Sequence, residues 1–175
     1  MREVRLGRLA GLTLTAAPSA LAGSLLTWLA LSGLALFWLR VPLGQAALGG
    51  LLATLIHAAS EIVHQFGHAW AARKTGYPMR GIRMWGALAA SVYPDDEGEL
   101  PGRVHVRRAL GGPTWSLVVS VVTGGIALLV YPAGGLARYL TLFAFADNFG
   151  VFTLGSFLPL GFTDGSTLLR WWGKP

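Results

Sequence analysis

Four stretches of this chain contain no Asp, Glu, Lys or Arg: residues 9–39, 41–60, 109–137 and 148–163. A membrane-spanning helix needs roughly 20 apolar residues, so each stretch can supply one span. Only 13% of the residues are charged, against about 25% in a soluble domain, and the mean hydropathy is +0.54. The chain therefore reads as an all-α polytopic membrane protein, a single membrane-embedded unit over residues 1–175 with no sizeable soluble domain. The spans are expected at about 18–39, 44–72, 109–131 and 137–158, with minor β structure near the N-terminus and in the loop at 77–104. The first apolar core is too long for the h-region of a signal peptide, and Leu39-Arg40-Val41-Pro42 is no small-residue cleavage site, so no cleavable leader is expected.

The basic residues set the orientation. Arg2, Arg5 and Arg8 precede the first span, and Arg73, Lys74, Arg80, Arg83, Arg103, Arg107 and Arg108 separate the second from the third. Arg170 and Lys174 follow the fourth, while Arg40 and Arg138 alone fall on the opposite side. The positive-inside rule then places both termini and the central loop in the cytoplasm of a multi-pass protein, expected in the cell membrane. The net charge of +6 is thus a matter of topology, and no nucleic-acid partner is expected.

Within the second span the run His57-Ala58-Ala59-Ser60-Glu61-Ile62-Val63-His64-Gln65-Phe66-Gly67-His68 places ionisable groups in an apolar helix. At ~100° per residue, His57, Glu61, His64 and His68 lie within roughly 60° of one another. Ionisable groups inside a bilayer are costly and usually functional; the plainer alternative is a polar stripe buried for helix–helix hydrogen bonding. Histidines four residues apart can bind one metal ion, and in H-E-x-x-H the glutamate is the general base of a zinc protease. Here Gln65 holds the glutamate's place. His57 reads as a supporting or packing residue rather than a ligand.

With no cysteine in the chain, a metal must be held by His, Asp or Glu. A tetrahedral zinc site needs a third protein ligand, and Asp147 and Asp164 lie in or beside the last span. Asp164 follows a helix-breaking Pro159 and Gly161, which can turn its carboxylate toward the second span. The plainer alternative is a cap for a short amphipathic helix at 165–173.

These elements resemble the site-2 protease family of intramembrane zinc metalloproteases. That family pairs an H-E-x-G-H helix, followed by Ala-Arg and Gly, with a distant N-x-x-P-x-x-x-x-D-G element. Here the first appears as His64-Gln65-Phe66-Gly67-His68, Ala72-Arg73 and Gly76. The second appears as Ser156-Phe157-Leu158-Pro159 and Asp164-Gly165. Gly112-Pro113-Thr114-Trp115-Ser116 occupies the family's G-P-x-x-N position between them. The resemblance covers most of residues 44–170 in order, and implies a membrane metalloprotease fold with Zn2+ held by His64, His68 and Asp164. Gln65 departs from it at the catalytic glutamate, and Ser116 and Ser156 replace asparagines.

The departure at Gln65 bears on mechanism. A zinc-bound water can approach a pKa of ~7, and a neighbouring carboxylate takes its proton and later delivers it to the leaving amine. Gln65 can hydrogen-bond such a water but cannot shuttle a proton. General acid–base catalysis contributes about 10²–10⁴-fold, so peptide hydrolysis should be severely slowed. Glu61, one turn earlier, is a candidate substitute base; the preferred reading makes it an acceptor for a ligand histidine N–H. Two functions follow: an intramembrane metallopeptidase acting on membrane-embedded peptide segments, or an inactive relative that binds or regulates membrane partners.

The segment 77–104 is expected to carry a β-hairpin, Gly81–Trp85 against Ala89–Tyr93 around Gly86. In the resembled family, strands beside the active site can bind an unwound substrate by edge addition. The alternative is an interfacial loop anchored by Trp85 and Tyr93. Asp95, Asp96, Glu97 and Glu99 lack calcium-loop spacing and read as a solvated turn. Trp171 and Trp172 are expected to anchor the C-terminal helix at the interface.

Overall fold

A computed structural model describes residues 3–175; Met1 and Arg2, the latter one of the orienting basic residues, lie outside the described residues. The chain runs through strands β1 (Val4–Leu9) and β2 (Leu12–Ala16), then helices α1 (Pro18–Phe37) and α2 (Leu43–Thr75). Strands β3 (Gly81–Trp85) and β4 (Leu88–Val92) lead into α3 (Gly102–Val130), α4 (Gly135–Ala146) and α5 (Asp164–Trp171). Among the described residues, four helical segments are long and apolar enough to cross a membrane: Pro18–Phe37, Leu43–Thr75, Gly102–Ala133 and Gly135–Phe157. The protein is a multi-pass membrane protein.

Several segments end where the local chemistry requires. Pro18 opens α1, and Pro42 and Pro101 precede α2 and α3, positions where a missing N–H costs nothing. Helix α2 stops at Gly76, whose φ of 84° provides the left-handed C-terminal residue, with Arg73 and Lys74 in the last turn beside the negative dipole end. Its 33 residues extend about 50 Å at 1.5 Å each, well beyond a hydrocarbon core of ~30 Å. One end therefore projects, and that end carries the sheet.

The strands form one sheet in the order β1-β2-β3-β4. The β1–β2 and β3–β4 pairs are antiparallel hairpins, joined by a parallel β2–β3 pair in which Leu14 faces Ile82. Leu12 and Ile82 pack with Met79 onto Ala69 and Ala72 of α2, forming the core at that end of the molecule. Leu21, Leu26 and Phe37 of α1 remain exposed on the protein's own surface, as expected where the surrounding solvent is lipid.

Two features of the helices differ from the expected spans. Helix α3 begins at Gly102 and carries Arg103, Arg107 and Arg108 in its first turns. The fourth span is not one α-helix: after Ala146 it becomes π-helical over Asp147–Leu154 and ends in a 3-10 turn at Gly155–Phe157. Thr153 Oγ1 donates to the carbonyl of Asn148, five residues back. Such wide turns are rare and tend to occur at functional positions.

Candidate metal centre

Helices α2 and α3 cross at Gly67 and Gly111. A Cβ on Gly67 would meet the Gly111 carbonyl, and one on Gly111 would meet the Gly67 carbonyl, so glycine on both sides permits this approach. One residue on, a Cβ at Gly112 would strike Nε2 of both His64 and His68. The absent side chain leaves room for the two imidazoles.

His64 and His68 are one turn apart on α2 and both buried. Their Nε2 atoms lie 3.0 Å apart. Asp164, the first residue of α5, places Oδ2 3.3 Å from His64 Nε2 and Oδ1 3.4 Å from His68 Nε2. Each of the three offers one ligand atom within 4.8 Å of the others. Thr163 occupies the helix-cap position, so Asp164 is free of the capping role weighed above. Asp147 does not join this cluster.

The far side of each imidazole is also held. His68 Nδ1 lies 2.8 Å from the Arg108 carbonyl. A carbonyl only accepts, so this nitrogen carries a proton, and in the neutral ring Nε2 presents a lone pair. His64 Nδ1 lies 2.9 Å from Ser116 Oγ, which can accept its proton in the same way. Two nitrogen lone pairs and a carboxylate aimed at one point repel one another unless a cation or protons sit between them. Around an ion with bonds of ~2.0–2.1 Å, tetrahedral ligands are separated by about 3.3 Å, close to the spacing found here. The donor set fits a zinc-type divalent ion.

Gln65 and Glu61 face the sheet instead. Gln65 Nε2 donates to Glu61 Oε1 at 3.2 Å and to the Ala89 carbonyl at 3.0 Å. Its Oε1 accepts from Ser91 Oγ at 2.8 Å. Glu61 Oε1 accepts the Ala89 N–H at 2.9 Å. Glu61 thus differs from its preferred reading, since the histidine N–H groups go to Ser116 and Arg108. It nonetheless lines the same cleft as His64, Gln65, His68, Ser156 and Asp164. An apolar pocket between α1, α2 and α4, lined by Leu34, Gly49 and Tyr139, shares no residue with this cleft.

Several neighbours were not visible in the motifs. Asp147 pairs with His57 Nδ1 at 3.0 Å, and Asn148 Nδ2 donates to Ser60 Oγ at 2.8 Å. Phe152 packs against the rings of both His57 and His64, at 5.1 and 5.7 Å. The Asp147-Asn148 pair in an apolar span was the available sequence signal. Glu97 leaves the solvated acidic turn to form a two-pronged pair with Arg108, at 2.5 and 2.8 Å. This contact holds the Glu97 carboxyl below its usual pKa. Asp96 behaves as expected, pairing with Arg80 where both are exposed. Burial pushes the Tyr93 phenol above its ordinary pKa, and its ring lies 4.0 Å from the Arg108 guanidinium carbon.

A solved site-2 protease from Methanocaldococcus jannaschii superposes with a TM-score of 0.63, covering 97% of this chain and 70% of that one. The chain has a site-2-protease-like fold. At 17% identity, the likeness speaks to the fold alone. No protein-family model matches the chain, and no curated protein matches its sequence. The site-2-protease-like fold places the H-x-x-x-H face of α2 against the Asp164 loop.

Proposed function

We propose that this protein is a zinc-binding relative of the intramembrane metallopeptidases that does not cleave peptides efficiently and acts by binding membrane partners. His64, His68 and Asp164 would hold the ion; when bound, zinc would supply a Lewis acid and acidify a water. The observation that carries the reading is the engagement of Gln65. In the position of the general base stands an amide, bonded at its nitrogen to Ala89 and at its oxygen to Ser91. It has no site from which to take a proton.

A second reading, an active peptidase using Glu61 as base, draws support from the Glu61 carboxylate lining the cleft of the histidines. The test assays purified zinc-loaded protein on unwound transmembrane peptides, with Gln65→Glu and Glu61→Gln beside it. Native protein is expected to be nearly inert, and Gln65→Glu to gain of order 10²-fold through proton transfer. Native cleavage abolished by Glu61→Gln would overturn the proposal in favour of the second reading.

The twelve-to-two distribution of Lys and Arg supports cytoplasmic termini and sheet in the cell membrane. Reporter fusions within residues 85–100 active outside the cytoplasm would reverse that orientation.

A further inference from the structure

Strand β4 ends the sheet. In its antiparallel pairing with β3, Ala90 faces Arg83 and Val92 faces Gly81, and the Val92 carbonyl accepts from Arg80 N–H at 2.8 Å. The alternate residues turn their N–H and C=O groups away from β3. Such an edge is a ready template for another strand.

On this edge, side chains of α2 stand where a strand would. His57 Nε2 donates to the Ala87 carbonyl at 3.0 Å. Glu61 Oε1 accepts the Ala89 N–H at 2.9 Å, and Gln65 Nε2 donates to the Ala89 carbonyl at 3.0 Å. The Ser91 hydroxyl completes the row by donating to Gln65 Oε1 at 2.8 Å. The spacing suits this pairing. Residues four apart on a helix rise about 6 Å, and residues two apart on a strand advance about 6.6 Å, so the stripe tracks the edge.

The residue type at position 65 matters. Gln65 donates to a carbonyl and accepts from a hydroxyl at once, which an amide does and an ionised carboxylate cannot. We propose that Gln65 is a positioning residue, a clasp that holds the free edge of β4 closed against α2 beside the histidine–aspartate cluster. Opening it frees the Ala89 carbonyl; once the Ala89 N–H also leaves Glu61 and the Ala87 carbonyl leaves His57, the edge can receive an extended peptide segment. The clasp rests on the same Gln65 contacts as the proposed function, but it needs neither bound metal nor peptide hydrolysis, so hydrogen exchange tests it separately from cleavage.

The test is backbone hydrogen–deuterium exchange on the full chain in lipid nanodiscs, comparing native protein with Gln65→Met and Ser91→Ala. Methionine keeps the length and removes both bonding atoms; it cannot supply a base, so catalysis does not enter. Segment 86–92 should exchange about tenfold faster in Gln65→Met, since its opening loses two hydrogen bonds. A smaller rise is expected in Ser91→Ala, with the β1–β2 hairpin and residues 102–112 unchanged in both. Unchanged exchange of 86–92 in Gln65→Met overturns the proposal. If Gln65→Met loosens the whole chain, Ser91→Ala decides: a rise confined to 86–92 supports the clasp, and no rise there rejects it.

Discussion

His68 Nδ1 donates to the backbone carbonyl of Arg108 at 2.8 Å, while the side chain of the same Arg108 grips Glu97 and donates to the Tyr77 carbonyl at 2.7 Å. One turn of α3 is thereby fixed from two sides. Its carbonyl sets the proton position on His68, and its guanidinium ties that turn to the loop outside the bundle. The orientation of one candidate ligand thus depends on an ion pair that contributes no ligand atom.

The pair makes stability depend on pH with a definite sign. Arg108 holds the Glu97 carboxyl below its ordinary pKa, so Glu97 binds its proton more readily unfolded than folded. Its contribution is fully present above the unfolded value of about 4.3 and is lost as pH falls through the depressed folded value. Glu97→Gln should flatten this acid limb. At neutral pH it should cost about 1.5–3 kcal/mol, because Arg108 keeps its burial and loses a charged partner. Thermal melts of both proteins from pH 3 to 7 check this; parallel curves would remove the pair from the account.

Zinc retention tests the proposed donor set directly. His64→Ala, His68→Ala and Asp164→Ala should each drop bound zinc after dialysis from about one per chain to a small fraction, since a tetrahedral site needs three protein ligands. Gln65→Met should keep its zinc, because neither amide atom points into the cluster. Elemental analysis of the four variants gives the answer. Full retention in Asp164→Ala would exclude that carboxylate as a ligand.

Gly112 gives a steric test of the same centre. Its Cβ would press on Nε2 of both histidines, whereas a Cβ at Gly125 on the same helix meets nothing within 4 Å. Gly112→Ala should lower zinc affinity at least tenfold and cost about 1–3 kcal/mol, the range for overpacking. Gly125→Ala should leave zinc affinity unchanged and cost no stability, since alanine is the better helix former. Equal zinc binding in the two variants would mean the imidazoles do not sit against α3 as described.

How much of this was readable in advance follows from the range of each interaction. The four spans, the face shared by His57, Glu61, His64 and His68, and the hairpin around Gly86 are local patterns of period and hydropathy. Asp164 was singled out over Asp147 by the family resemblance; Pro159 and Gly161 mark only a helix break that can turn its carboxylate toward the second span. The parallel pairing of β2 with β3 joins strands separated by two helices, and no local pattern encodes it. The π-helical turns at Asp147–Leu154 leave no mark in composition. Arg108 and Glu97 each resemble ordinary surface charges until the fold brings them together. Gln65 shows the distinction best: the sequence shows that a base is missing, and only the fold shows what the amide holds.

His57 and Asp147, on two different spans, meet as a pair. His57 Nδ1 meets Asp147 Oδ1 and its Nε2 meets the Ala87 carbonyl, both at 3.0 Å. With Asp147 ionised, both partners are acceptors, and the doubly protonated ring satisfies them together as an ion pair with Asp147. The side chains are 14% and 3% exposed, respectively, and removing one partner leaves the other charge buried. Asp147→Leu or His57→Leu should therefore each destabilise by about 3 kcal/mol, whereas the two together should recover most of that loss. The burial of both side chains favours an apolar replacement, and Phe152 already packs on the ring. Unfolding of the single and double variants in mixed micelles measures the coupling. Single-variant costs that simply add in the double variant would show that His57 and Asp147 do not act as a pair.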